Sequence, residues 1–161
     1  MQTEKVIDYI VNWLKDYATK AGVKGYVIGV SGGVDSGVVS TLCAMTGLKV
    51  LALEMPIRQQ KDQASRALEH IDFLKNKFPN VEGFTVDLNE PFEALYKTFD
   101  VKDDEFPAEK LAFANTRSRL RMLTLYYYGQ INGLLVCGTG NKVEDFGIGF
   151  YTKYGDGGVD V

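Results

Sequence analysis

Apolar residues fall at spacings of four, four and three through Val6, Ile10, Leu14 and Tyr17, with Ile7, Val11 and Trp13 widening the stripe. Glu4, Lys5, Asp8, Asn12, Lys15 and Asp16 take the other side, a pattern that predicts an amphipathic helix ending near Gly22. The period then changes. Tyr26-Val27-Ile28, a β-branched and aromatic run after Gly25, predicts a strand over 25–30, followed by a glycine turn and a buried helix that runs to about Thr46 and stops at Gly47. Residues 49–55 are almost continuously apolar and closed by Pro56, as in a parallel strand covered on both faces. Ala64, Ala67, Leu68, Ile71 and Leu74 form the inner stripe of a helix predicted over 61–77, with Pro79 beyond its end. A third short strand is expected over 81–87, and a short helix over 91–98 that packs through Phe92, Leu95 and Phe99. The acidic segment 100–106 reads as a mobile loop. Residues 108–128 form one long predicted helix, and Leu134-Leu135-Val136-Cys137, between Gly133 and Gly138, a fourth strand.

Strands alternating with helices imply an α/β fold: a doubly wound, mainly parallel sheet with helices on both faces. At 161 residues and 45% hydrophobic content, the chain suits a single domain over 1–161 that buries about 70% of its unfolded surface. Glycine crowds the stretch from Gly138 to Gly158, where backbone shape matters more than core filling. Ligands of such sheets bind beyond the carboxyl ends of the strands. Residues 31–36 and 139–144 each follow a strand end and are expected to face one crevice.

Charge and cysteine content narrow the partners. Twenty-one acidic against 18 basic side chains leave a net charge of −3, which advertises no nucleic-acid surface. Cys43 and Cys137 both sit in apolar runs and read as reduced core residues, not as a disulfide scaffold. The start Met1-Gln2-Thr3-Glu4-Lys5 has no apolar core ahead of a cleavage site, and no run of about 18 apolar residues follows. A cytoplasmic protein without membrane or nucleic-acid partners is the expectation.

The chemistry centres on Gly29-Val30-Ser31-Gly32-Gly33-Val34-Asp35-Ser36. A strand, a glycine turn and a helix N-terminus converge backbone N–H groups on a point where an anion, usually phosphate, belongs. Gly29-Val30-Ser31-Gly32-Gly33 also satisfies the Gly-x-Ser-x-Gly nucleophile elbow. That chemistry needs a later histidine, and the only one, His70, reads as an exposed helix residue. A Walker-type loop would end in Lys-Ser/Thr, whereas Asp35 stands where the lysine belongs. A carboxylate at the mouth of an anion site suits an Mg²⁺ ion between carboxylate and phosphate. A tight turn with an N-capping serine or aspartate is the plain structural alternative.

Ser31-Gly32-Gly33-Val34-Asp35-Ser36 resembles the pyrophosphate-binding SGGxDS loop of the N-type ATP pyrophosphatases. Asn115-Thr116-Arg117-Ser118-Arg119-Leu120-Arg121-Met122, then Gly138-Thr139-Gly140-Asn141-Lys142-Val143-Glu144, then Phe150-Tyr151-Thr152-Lys153-Tyr154-Gly155-Asp156-Gly157-Gly158-Val159-Asp160 together resemble the ammonia-dependent NAD synthetases. The matches keep their order over essentially the whole chain, which on this resemblance lacks the C-terminal part of the family's domain. The implied fold is adenine nucleotide alpha hydrolase-like, a Rossmann-like sheet. By the resemblance, Gly29 to Ser36, Gln60 and Thr139 contact ATP, Asp35 and Glu144 ligate Mg²⁺, and Arg119, Lys153 and Asp160 bind deamido-NAD. On residue type alone Glu144 and Lys153 also read as solvated charges, although their glycine-rich setting after a strand end argues for a site. Arg119 lies nearly opposite Arg117 and Arg121 on a helix, so at most some of the three point into one place.

The resemblance implies a ligase that adenylates the nicotinate carboxylate of deamido-NAD with ATP and then admits ammonia, releasing AMP and leaving NAD. No protein nucleophile is needed; positioning and charge neutralisation are. No glutaminase segment is present, so free ammonia is the expected nitrogen source. A homodimer is also implied, with helix 108–128 as the expected contact. Another adenylating amidotransferase, of the GMP synthetase kind, and a non-catalytic nucleotide-binding module are the competing functions.

Overall fold

The computed structural model describes residues 2–59, 61–99 and 106–161, and of 61–64 the backbone alone. Gln60 and most of the expected acidic loop lie outside the described residues. The elements in chain order are α1 (Thr3–Ala21), β1 (Gly25–Gly29), α2 (Val34–Met45), β2 (Lys49–Glu54), α3 (Lys61–Lys77), β3 (Val81–Thr85), α4 (Asn89–Thr98), α5 (Pro107–Asn132) and β4 (Leu135–Cys137). A π-helical turn over Val143–Ile148 follows. α1 and α5 close on Gly22 and Gly133, whose φ of 69° and 68° is the left-handed conformation that glycine adopts freely.

The strands pair in parallel in the order β3-β2-β1-β4. Val27 lies opposite Leu51 on one side and Val136 on the other. The chain steps from β1 to β2 to β3 in one direction, and α5 then carries it back past β1 to β4. Right-handed crossovers of opposite sense place their helices on opposite faces. Tyr26, Ile28, Val50 and Ala52 accordingly pack with Leu14 and Ala18 of α1, Cys43 of α2 and Ile71 of α3. Val27, Leu51, Leu53 and Val136 pack with Phe92 of α4 and Met122 and Leu125 of α5. The period-two alternation of a strand thus supplies both cores.

Departures from the hydrophobic pattern are local and have physical causes. α1 is seated through Leu14 and Ala18, which leaves Val6 and Tyr17 substantially exposed at the edges of the stripe. Leu68 lies on the outer side of α3 at 42% exposure, while Ala67, Ile71 and Leu74 are buried. β3 ends at Thr85, short of the expected Asp87, because the Asp87 carboxylate accepts the Asn89 N–H at 2.8 Å and turns the chain into α4. α5 continues to Asn132, beyond the expected Tyr128. His70 is half-buried, not exposed, with Nε2 2.9 Å from Ser40 Oγ of α2. Cys43 and Cys137 are free and buried, their sulfurs 3.6 Å apart. Among the described residues no helix is long and apolar enough to cross a membrane.

Candidate functional site

The glycine turn leaves the sheet between β1 and β2, with the Val30 N–H donating to Leu53 O at 2.8 Å. Gly32 takes φ 80°, which a side chain would resist. Hydroxyls hold the curve. Ser36 Oγ donates to Gly33 O (3.0 Å) and accepts the Ser31 N–H (3.2 Å), while Ser31 Oγ lies 3.1 Å from it and accepts the Gly33 N–H at 3.2 Å. Ser36 is buried, whereas Ser31, Val34 and Asp35 are exposed. The N-terminus of α2 begins at Val34 with Gly33 extended and no side chain capping it, so the first-turn amides keep their capacity for an anion.

β1 lies between β2, reached by a step one way, and β4, reached by a step the other way, so the crevice beyond their carboxyl ends is a topological switch point. It encloses about 240 Å³. Gly29, Val30 and Ser31 line one part, Gly138 and Thr139 another, and Arg121, Met122 and Leu125 of α5 a third. Of the segments 31–36 and 139–144, expected to face one crevice, Ser31 and Thr139 line it, whereas Gly32, Gly33 and Val34 line a second hollow. A larger hollow of about 620 Å³ lies behind the same turn, walled mostly by apolar residues of α1 and α2 such as Ile10, Val38 and Leu42.

The two later motifs lock together. Ser118 Oγ donates to the Asp156 carboxylate and accepts the Asp156 N–H at 3.0 Å. Thr152 Oγ1 donates to Asn115 Oδ1 at 2.9 Å, and Arg119 Nε donates to Lys153 O at 3.1 Å. The Asp156 carboxylate also accepts the Thr152 N–H, closing the loop on itself. Gly155 is obligatory here, because a Cβ would stand 2.2 Å from Ser118 Oγ. Arg119 is therefore turned to the loop, while Arg121 is turned to the end of β2, where its Nε donates to Met55 O at 3.0 Å. Arg117 lies over the Phe92 ring at 5.8 Å. The Lys153 ammonium is 4.9 Å from the centre of the Tyr154 ring.

Asp160 faces the edge of the sheet. Its Oδ2 accepts the Val136 N–H at 2.8 Å, and the Tyr126 hydroxyl lies 3.2 Å from Oδ1 and 3.0 Å from Gly158 O. Burial and then the Asp160 charge hold the Tyr126 phenol above its ordinary range. Asn141 Oδ1 accepts the N–H groups of Val143 and Glu144, which fixes the entry of the π-helical turn. Glu144 is exposed on that turn and Asp35 is exposed on the first turn of α2. A magnesium ion typically takes one or two carboxylates and completes its shell with phosphate and water. Asp35 and Glu144 are exposed carboxylates, hard oxygen donors of the kind such a shell uses, and neither is among the residues that line the crevice. No three His, Cys, Asp or Glu side chains gather into an all-protein cage among the described residues. Gln60 lies outside them. The crevice also contains Arg121, Ser118 and Asp156, to which the sequence reading assigned no role. Their signal was present in the Asn115–Met122 and Thr152–Val159 motifs, but nothing in either motif says that it touches the other.

The family model for NAD synthase matches residues 6–161. The NH(3)-dependent NAD(+) synthetase of Mesoplasma florum is 40% identical over 162 residues, covering 100% of this chain and 63% of that protein. The synthetase of the same name from Carboxydothermus hydrogenoformans is 39% identical over 98% of this chain and 63% of its own length. Among solved structures, an NMN synthetase from Francisella tularensis superposes with a TM-score of 0.86 at 34% identity, over 99% of this chain and 63% of that one. An NH3-dependent NAD synthetase from Campylobacter jejuni superposes with a TM-score of 0.85 at 29% identity, over 99% of this chain and 66% of that one. The chain thus spans a little under two thirds of the curated relatives it matches. With that family model matching nearly the whole chain, the chain belongs to the NAD synthase family.

Proposed function

We propose that the protein catalyses the ATP-dependent amidation of deamido-NAD with ammonia, giving NAD, AMP and pyrophosphate through an adenylated carboxylate. The observation that carries this reading is the lock of the 152–158 loop onto Asn115, Ser118 and Arg119, which supports a dinucleotide site next to a phosphate turn. Residues 1–161 belong to one ATP pyrophosphatase-type synthetase domain. Gly29, Val30, Ser31, Gly32, Gly33, Val34 and Ser36 hold the ATP phosphates through backbone amides and the α2 N-terminus, and Thr139 and Gln60 contact ATP from elsewhere. Arg119, Lys153 and Asp160 serve deamido-NAD. Asp35 and Glu144 are the residues that would hold Mg²⁺, whose chemistry there is to neutralise phosphate charge.

A carboxylate oxygen of the nicotinate attacks the α-phosphorus of ATP, and the bond to the bridging oxygen breaks with its electron pair leaving on pyrophosphate. The ammonia lone pair then attacks the activated carbonyl carbon. AMP departs, and the surplus proton passes to solvent. The protein's part is to hold the two reactants in line and to place fixed positive charge where phosphate charge develops.

A homodimer is part of the proposal, with α5 as the contact. Its support is the row of exposed Leu123, Tyr127 and Ile131 at helical spacing of four. The cytoplasm is the proposed compartment, which suits two unbonded cysteines. The test is direct: incubation with ATP, Mg²⁺, ammonium and deamido-NAD yields NAD with AMP and pyrophosphate in equal amounts. No NAD under those conditions refutes the assignment. The mononucleotide counterpart is the second reading, because the Francisella neighbour carries the name NMN synthetase. Faster turnover of nicotinate mononucleotide than of deamido-NAD would establish it.

A further inference from the structure

The crevice holds a cation that the roles above leave unused. Of the described residues that line it, Arg121 is the only lysine or arginine, and Ser31 and Thr139 line the same space. Its Nε is committed to Met55 O at 3.0 Å, which anchors the guanidinium at the end of β2. The Nη groups have no acceptor among the described residues. Burial chiefly, and the neighbouring Arg117 next, press on the charge of Arg121, while Glu54 offsets part of that pressure. Glu54 is 2% exposed, and its Oε1 has no hydrogen-bond partner among the described residues. Asp156, the one acidic residue among the described lining residues, is bonded to Ser118 Oγ and the Thr152 N–H, so the unused guanidinium donors in this partly dry crevice are open to a further anion. The phosphate turn lines that crevice too, so the anion belongs to whatever the turn binds.

We propose that Arg121 binds the α-phosphoryl group of ATP, and the phosphate that remains on AMP, while the glycine turn takes the pyrophosphate half. The assignment rests on the synthetase reading. The nucleophilic carboxylate is the less fitting partner, because a bidentate arginine would stabilise it as a ground-state ion and blunt its attack. On the α-phosphoryl group the same fork meets two non-bridging oxygens, which carry charge throughout the displacement. Arg121 keeps all its protons and forms no covalent bond. It meets the oxygens of the phosphorus under attack while the bond to pyrophosphate breaks.

The experiment compares binding of AMP alone and of magnesium pyrophosphate alone by calorimetry in the unmodified protein, Arg121→Ala and Arg121→Lys. Melting curves are run alongside, because Arg121 also anchors Met55. Losing a charged hydrogen-bonded pair weakens AMP binding about tenfold to a hundredfold in Arg121→Ala. Pyrophosphate binding stays within about twofold, and Arg121→Lys falls between because it keeps charge without the fork. In turnover, kcat falls more than the KM for ATP rises. Unchanged AMP affinity overturns the proposal, as does equal weakening of AMP and pyrophosphate, which is the signature of a structural role. Absence of AMP binding in the unmodified protein overturns it as well. If the protein releases AMP and pyrophosphate only with some other carboxylate acceptor, the deamido-NAD assignment fails while the AMP comparison still decides Arg121.

Discussion

Ser118 and Asp156 bond reciprocally across 38 residues: the Ser118 hydroxyl donates to the Asp156 carboxylate and accepts the Asp156 backbone N–H. This pair joins the middle of α5 to the loop that follows β4. Ser118→Ala removes both bonds, and since the pair is exposed the loss is about 1 kcal/mol of stability. The sharper effect is local. Proteolytic cleavage between Tyr151 and Gly158 accelerates in the variant, and an unchanged cleavage rate there contradicts the lock.

Ser36 sits under the glycine turn with its hydroxyl donating to Gly33 O and accepting the Ser31 N–H. Being 2% exposed, it has no water to replace it. Ser36→Ala removes both bonds, and because Gly33 O keeps the Gly37 N–H at 3.1 Å the loss is about 1 kcal/mol. Urea unfolding measures that loss, and MgATP affinity falls with it because the turn loses its brace. A variant as stable as the parent shows that the brace lies elsewhere.

Asp35 is exposed on the first turn of α2. Its removal therefore leaves stability within about 0.5 kcal/mol. Asp35→Ala nonetheless lowers magnesium-dependent ATP binding about tenfold to a hundredfold if its carboxylate holds the metal. Titration of ATP with and without Mg²⁺ separates the two effects. A magnesium dependence identical to the parent removes Asp35 from the metal site.

Gly25 opens β1 at φ 148°, and a Cβ there would lie 1.9 Å from Lys49 O on the adjoining strand. Both the backbone conformation and the contact oppose a side chain. Gly25→Ala is expected to destabilise by about 3 kcal/mol. Thermal melting decides it, and a shift within error would mean that β1 and β2 separate more easily than their pairing indicates.

His70 packs its ring against α2, with Nε2 2.9 Å from Ser40 Oγ and Phe73 and Arg66 nearby on its own helix. Burial lowers its pKa, opposed by a hydrogen bond to the Gly37 backbone. The folded state therefore holds its proton less tightly than the unfolded chain. Between the lowered pKa and the ordinary value of about 6.5, the unfolded chain gains the proton first, so stability falls as pH drops through that window. His70→Gln removes this contribution. Urea midpoints at about pH 7.5 and about pH 5.5 should lie closer together in the variant than in the parent. Equal separations mean that His70 does not titrate differently in the two states.

Element order, the parallel sheet and the glycine turn were legible in the sequence because each is written locally. Continuous apolar runs mark doubly covered strands, glycines mark the turns, and the residues of the glycine turn are neighbours in the chain. What only the tertiary structure decided concerns residues far apart. A helical period shows that Arg117 and Arg121 share a face and that Arg119 does not, but not that Arg119 meets Lys153 O and Arg121 meets Met55 O. Nor does it show that His70 leans on Ser40, or that Asp160 turns to the β4 edge to take the Val136 N–H. Periodicity assigns side chains to faces of an element; which partner each face meets depends on the sheet order β3-β2-β1-β4, and that order is settled by packing the whole chain at once.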